Sequence, residues 1–203
     1  MRRALLALTL VTLALLAVSR FWPTVDRVET FPGPHHDRGA LMRLARVAPG
    51  DPLLWITRWR VDALTADPWI RRARVTRHWP DTVSIAVWER TPLARAGEAP
   101  GATVWAEDGT VLPCAREAER ASLPVVRGWG GDRTEEALTL VRLLRDREPK
   151  VIQYTPEGFE IALSDAVLFT PGVSALRRQW AAVERHRGGR LAVYPWGVSR
   201  TNE

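Results

Sequence analysis

The sequence predicts an α+β protein, and three patterns support that class. Apolar and polar residues alternate on both sides of Pro80-Asp81, which is typical of a β-hairpin with one buried face. From Val25 to Glu89 the order of patterns is strand, helix, helix, strand, strand. After Pro92, short apolar runs and helical patterns predict a second α+β domain with a mainly antiparallel sheet and helices on one side.

The N-terminal stretch is apolar and uncharged from Ala4 to Val18, with arginines before it and Arg20, Phe21 and Trp22 after it. Basic residues before and aromatic residues after such a run predict a membrane-spanning helix over residues 4–22, with residues 1–3 cytoplasmic. The run is shorter than the roughly 20 apolar residues that a bilayer core requires. A cleaved signal peptide, cut near Ala17-Val18-Ser19, therefore stays open. Either interpretation exports the rest of the chain.

The next elements build the first half of a small domain. A strand within residues 22–31 is anchored by Val25 and Val28, and Pro32-Gly33-Pro34 ends it. Asp37 is a candidate N-cap for a helix that ends before Pro49-Gly50. A second short helix stops at Asp67-Pro68, because the residue before a proline is steered out of the helical region.

The hairpin from Asp67 to Pro92 completes that domain. Its predicted core face carries Val75, Val83, Ile85 and Val87. Its opposite face is charged and aromatic, and the residues we expect to be able to contact a partner there are Arg72, Arg74 and Trp88.

The second domain is predicted from several turn signals. Glu107-Asp108-Gly109 separates two short strands, and Pro156-Glu157-Gly158 separates two more. Helical patterns run from about 132 to 146 and again through Leu176, Trp180 and Val183. Residues 190–198 are predicted to be a terminal strand broken at Pro195.

Composition argues against several functions. The formal charge is +6 and the pI is about 10.7, but the arginines are scattered among acidic residues, which is typical of a solvated surface and not of a nucleic-acid-binding stripe. His35 and His36 are adjacent and are predicted to be solvent-exposed loop residues, since metal sites need spaced donors. No nucleophile has a recognisable base, and Cys114 has no evident partner. We therefore expect a non-enzyme without a cofactor, a metal or a small-molecule substrate.

The hairpin region resembles a known family. DPWIRRARVTRHWPDTVSIAVWERTPLA is similar to the FtsQ family of bacterial cell-division proteins, called DivIB in some lineages. VAPGDPLLWI and RVDALTADPW fit the same template, and EDGTVLP, SLPVVRG, YTPEGFEIAL and VLFTPG fit it more loosely. The likeness is strong from Val25 to Ala94 and weaker afterwards.

The resemblance implies a single-pass inner-membrane protein of the division septum. Its N-terminus would be cytoplasmic, residues 23–92 would form a POTRA domain, and residues 93–203 would form the family's β domain. Such proteins are non-catalytic, bind the coiled-coil proteins FtsB and FtsL, and help to control septal peptidoglycan synthesis by FtsW and FtsI.

The family also implies a binding site. Its last strands receive a partner segment by edge pairing, which carries over to Leu191, Val193, Tyr194 and Trp196. The chain has VYPWGV where the family has an Asp-Leu-Arg-like ending, and closing the core is an equally good interpretation of these residues. The alternative function is a POTRA-containing export or assembly factor that binds extended polypeptides.

Overall fold

A computed structural model of the chain describes residues 2–21, 23–128, 131–186 and 188–201, with the side chains of 2–5, 131 and 201 left out. The chain forms two compact units, Met1–Arg90 and Thr91–Glu203. The division falls two residues before the boundary that the sequence predicted.

The first element is helix α1, Arg2–Phe21. Its apolar side chains are exposed around the helix, with Leu10 66% and Leu13 57% accessible. Near its end, the indole Nε1 of Trp55 donates to the Ser19 hydroxyl at 3.2 Å. Among the described residues, no helix combines the length and apolarity that crossing a membrane requires. The predicted spanning helix over 4–22 is therefore not confirmed, and residue 22 lies outside the described residues.

The first unit has the predicted order of elements. Strand β1 (Arg27–Phe31) is followed by α2 (Arg38–Ala45), a 3-10 turn (Leu53–Trp55), α3 (Trp59–Thr65), β2 (Ile70–His78) and β3 (Thr82–Glu89). The sheet order is β1-β3-β2, with β1 parallel and β2 antiparallel to β3. The Asp37 carboxylate caps α2 by accepting from the Ala40 amide at 2.6 Å.

The core of this unit lies between the sheet and α2 and α3. Val83, Ile85 and Val87 alternate with more exposed residues along β3 and are buried, which confirms the predicted core face of that strand. Val75 on β2 is half-buried and packs against the same cluster. Burial of this apolar area is the main favourable term for the fold of the unit.

The second unit is a nine-stranded sheet with its helices. Its strands are β4 (Pro92–Ala96), β5 (Val104–Ala106), β6 (Val111–Leu112), β7 (Val125–Gly128), β8 (Val151–Thr155), β9 (Gly158–Ala162), β10 (Ala166–Thr170), β11 (Gly189–Tyr194) and β12 (Gly197–Thr201). Its helices are α4 (Glu117–Ser122), α5 (Thr134–Leu143), α6 (Val173–Arg178) and α7 (Trp180–Arg185).

The strand order in that sheet is β12-β11-β10-β9-β8-β7-β4-β5-β6. Most neighbours are antiparallel; the parallel pairs are β4 with β7, β7 with β8, and β10 with β11. Buried residues of α5, α6 and α7 share one cluster with the strands, so these helices cover the same face. The predicted last helix is split at Gln179, and α4 was not predicted.

Candidate partner-binding surface

The second sheet ends in a free strand, β12. It pairs antiparallel with β11 on one side, and among the described residues no strand pairs with its other side. An unpaired edge presents backbone N–H and C=O groups in a row, which is the template that strand addition uses. The other end of the sheet is the two-residue strand β6, a much shorter template.

This edge lies one strand later than the sequence predicted. Residues 190–198 are not one broken strand, because Pro195 and Trp196 form a two-residue turn between β11 and β12. On β11, Leu191 and Val193 are 0% exposed. Their side chains close the core, and the free edge belongs to the residues after the turn.

The hairpin geometry identifies the outward-facing donors. Tyr194 and Gly197 flank the two-residue turn and are directly opposite each other, so they form its hydrogen-bonded pair. Hydrogen-bonded and non-hydrogen-bonded pairs alternate along an antiparallel ladder. The backbone N–H groups of Val198 and Arg200 therefore face the open side, whereas that of Ser199 faces β11.

Aromatic residues stand beside this edge. Tyr194 and Trp196 stack with ring centroids 5.2 Å apart and planes 8° from parallel, and Phe169 on β10 lies 6.0 Å from Tyr194. Trp196 is 82% exposed, whereas Tyr194 and Phe169 are half-buried. We call these three residues the aromatic row. Large aromatic side chains are the residues that most often anchor protein interfaces.

The predicted residues of the first unit form a separate patch. Arg72 and Trp88 are cross-strand partners on β2 and β3, and the Arg72 guanidinium lies 5.3 Å from the Trp88 ring centroid. Arg74 is two positions along β2 and is exposed. The exposed face is thus basic and aromatic, and its role in binding stays a prediction.

The prediction for the two adjacent histidines was wrong. His35 and His36 are not solvent-exposed loop residues: their side chains are 11% and 9% accessible, and both bind Glu89, which is 4% accessible. We call His35, His36, Glu89 and Asp67 the histidine latch. It joins the loop before α2 to the end of β3 and to the loop that follows α3.

Three contacts of the latch, at 2.7 to 3.0 Å, converge on the Glu89 carboxylate. The Nδ1 atoms of His35 and His36 lie 2.8 and 2.7 Å from the Glu89 oxygens, and the His35 amide donates to Glu89 at 3.0 Å. His36 Nε2 lies 3.3 Å from Asp67. His36 thus faces a carboxylate with each ring nitrogen, which favours the imidazolium form. His35 also stacks on Trp69 with centroids 3.7 Å apart.

The latch shifts the pKa values of His36 and Glu89. Burial alone would lower the pKa of His36, but the hydrogen bonds to Glu89 and Asp67 outweigh it and raise the pKa above its usual 6.5. Burial alone would raise the pKa of Glu89, but the bonds from His36 and His35 lower it below 4.5. The charged forms of both groups are therefore favoured.

No metal centre emerges from this geometry. Within the described part of the chain, no group of three or more His, Cys, Asp or Glu side chains is arranged to hold a metal ion. The latch is a set of histidine–carboxylate contacts that joins three segments of the first unit.

The chain was compared with known proteins. The family model for the POTRA domain of the FtsQ type matches residues 35–90. The cell division protein FtsQ of Geobacter sp. (strain M21) is 33% identical over 116 residues, which cover 56% of this chain and 40% of that protein. The corresponding protein of Myxococcus fulvus is 30% identical over 179 residues, covering 75% of this chain and 61% of the relative. That of Novosphingobium aromaticivorans is 27% identical over 153 residues, covering 66% and 45%. In each case the match spans less than two thirds of the relative's length.

Proposed function

The chain belongs to the FtsQ/DivIB family of cell-division proteins, and we propose that it is a non-catalytic, membrane-anchored scaffold of the division machinery. It binds partners of the FtsB and FtsL type and helps to link septum assembly to peptidoglycan synthesis by FtsW and FtsI. The observation that carries the proposal is the free edge strand β12 beside the aromatic row.

The proposed partner binding uses the backbone groups and the exposed aromatic side chain at the edge strand β12. An extended partner segment adds a strand to β12, and its backbone accepts from the outward N–H groups of Val198 and Arg200. The exposed Trp196 gives that segment an apolar anchor next to the new strand. Leu191 and Val193 support the site from the core, while Tyr194 and Trp196 contact the partner. The surface of Arg72, Arg74 and Trp88 provides a second contact on the first unit.

Anchoring follows from the exposed apolar side chains of α1. Leucines on all sides of the helix are between 49% and 66% accessible, and a helix that is apolar all round is stable when it is surrounded by apolar material. Lipid is the surrounding that fits the arginines at its start and Arg20 and Phe21 at its end. The part of the chain that follows α1 would then be extracytoplasmic.

A proline substitution tests edge pairing directly. Arg200→Pro removes the outward N–H of an exposed residue, a position at which an edge strand tolerates proline. We expect this variant to lose co-purification with FtsB- and FtsL-type proteins. The matched Arg200→Ala variant keeps the N–H and is expected to retain both partners. Retention of the partners by a folded Arg200→Pro protein would contradict edge pairing at β12.

A further inference from the structure

Four large apolar side chains are exposed at one end of the first unit. Leu54 and Trp55 lie in the 3-10 turn, Trp59 begins α3, and Trp79 lies in the turn between β2 and β3. Their exposed fractions are 43%, 46%, 48% and 64%, in that order. We call these four residues the tryptophan patch. Exposed groups of large apolar side chains mark sites that contact a protein or a membrane.

Hydrogen bonds place the 3-10 turn beside the end of α1. The Leu53 amide donates to the carbonyl of Pro23, two residues after α1, at 2.9 Å. The Trp55 indole donates to the Ser19 hydroxyl on the last turn of α1 at 3.2 Å. The patch therefore continues the exposed apolar surface of α1, which ends at Phe21, a residue that is 76% exposed.

The turn between β2 and β3 lies at the same end of the unit. The Asp26 amide donates to the Asp81 carbonyl at 2.8 Å, which places this turn beside the segment between α1 and β1. The Arg77 guanidinium donates to the Leu54 carbonyl at 3.2 Å and joins the end of β2 to the 3-10 turn. The end of α1, the 3-10 turn and the hairpin turn that carries Trp79 are thus neighbours.

We propose that the tryptophan patch lies in the headgroup region of a lipid bilayer and so orients the first unit on the membrane surface. The inference rests on the proposed anchoring of α1 in lipid. Tryptophan is enriched at this depth of a membrane, because its ring is apolar over most of its surface and carries one polar N–H. Lipid is the occupant that the position of the patch favours, since the patch adjoins a helix whose apolar side chains are exposed on all sides.

The charges beside the patch decide which lipid is needed. Exposed arginines at this end include Arg20, Arg58 and Arg77, and carboxylates there include Asp26 and Asp81. Arginine side chains reach lipid phosphates while their stems lie along apolar surface. The mixture of signs gives no strong positive field that would require anionic lipid. We therefore expect the tryptophans to drive the contact, and phosphatidylcholine, which has no net charge, to be sufficient.

The full chain in phosphatidylcholine nanodiscs tests the proposal. One sample contains lipid with a spin label high on the acyl chain, next to the headgroups, and the label broadens the NMR signals of nearby groups. We expect the indole N–H signals of Trp59 and Trp79 to lose most of their intensity and that of Trp88 to keep it. Trp88 is a matched control, because it is 48% exposed, as Trp59 is, and lies on β3 at the end away from the hairpin turn. That separation is about 20 Å along the strand.

Signals of α1 separate this proposal from the anchoring itself. In a second sample the spin label is near the bilayer centre, where it should broaden the amide signals of Leu10 and Leu13. Broadening of α1 with no loss at Trp59 and Trp79, or with an equal loss at Trp88, would overturn the proposal while the anchoring stands. Broadening in the patch alone would support the lipid contact and contradict burial of α1. Unaffected signals in both places would contradict both. The samples contain no partner protein, so edge pairing at β12 does not enter.

Variants distinguish docking of the patch from nearness that α1 alone would impose. The double substitution Leu54→Ser and Trp59→Ser removes two exposed apolar groups, so the Trp79 indole should recover most of its intensity beside the headgroup label. Trp88→Ser removes an equally exposed indole outside the patch and should leave the loss at Trp79 unchanged. An undiminished loss at Trp79 in the double variant, with the Val83 amide still protected in the core, would contradict docking through the patch. If the double variant does not fold, the comparison of Trp59 and Trp79 with Trp88 in the unmodified chain still decides.

Discussion

Replacing Glu89 by glutamine should destabilise the first unit by about 3 kcal/mol, since breaking a buried ion pair costs roughly 3–5 kcal/mol and the amide keeps one acceptor. Glu89 is 4% accessible and receives three donors from His35 and His36. The amide oxygen still accepts one of them, but the new NH₂ group faces donors and leaves them unpaired. Glu29→Gln, an exposed substitution on β1 with the same change of charge, should stay within about 0.5 kcal/mol.

The loss of stability caused by Glu89→Gln should depend on pH. Because the folded pKa of His36 is raised, its contribution to stability is complete below 6.5 and is lost as the pH rises through the folded pKa. Because the folded pKa of Glu89 is lowered, its contribution is present above 4.5 and is lost as the pH falls through the folded pKa. The difference in stability between the unmodified protein and Glu89→Gln should therefore be largest between pH 4.5 and 6.5 and should narrow above that window.

Urea unfolding across this pH range measures the effect. Amide hydrogen exchange of Val83 and Ile85 on β3 assigns the transition to the first unit, because both residues lie in its core. The latch account is refuted if the difference in unfolding free energy between the two proteins is the same at every pH, or if Glu89→Gln is no less stable than Glu29→Gln.

Three further outcomes are expected. Gly33→Ala should destabilise the first unit, because a Cβ there would overlap the latch carboxyl group; an unchanged urea midpoint would contradict this. Trp196→Ala should weaken partner binding by about 2 kcal/mol, as for an interface hot spot, with little change in stability, whereas Trp79→Ala on the first unit should leave binding unchanged. The double substitution Leu10→Arg and Leu13→Arg should release the chain from the membrane fraction, since each arginine costs roughly 2.5–3.5 kcal/mol at a helix centre. The matched double substitution Leu10→Ala and Leu13→Ala should leave the chain in the membrane fraction.

The sequence predicted those parts of the fold that depend on local pattern. Alternation of Val83, Ile85 and Val87 is enough to assign both the strand and its buried face, because a strand has a side-chain period of two. Asp37 was correctly predicted as an N-cap because the capping bond spans only three residues. The order of elements in the first unit follows from such local signals.

The histidine latch could not be predicted in the same way. His35 and Glu89 are 54 positions apart, and nothing near either residue indicates that the fold brings them together. Local sequence makes two histidines after Pro32-Gly33-Pro34 look like an exposed loop. Gly33 is part of the latch's packing, because a Cβ at this position would overlap the Glu89 side chain. That close packing is visible only in the folded chain, so the glycine in the sequence did not reveal it.

The terminal hairpin, β11 and β12, could not be predicted from the sequence for a different reason. The sequence on either side of Pro195 and Trp196 is compatible with one broken strand or with two strands and a turn. Pairing with β10 and β12 decides between them, because it gives β11 a neighbour on each side and buries Leu191 and Val193. Which strand of a sheet remains free is a property of tertiary topology and not of local propensity.

The most direct test of the central claim is residue-resolved amide protection of β12 when an FtsB- or FtsL-type partner is added. Edge pairing predicts that exchange slows markedly at Val198 and Arg200, whose N–H groups face the open side, and changes little at Ser199, which is already bonded to β11. Protection that alternates in this way would support strand addition at the edge. Partner binding that leaves Val198 and Arg200 exchanging as before would contradict it.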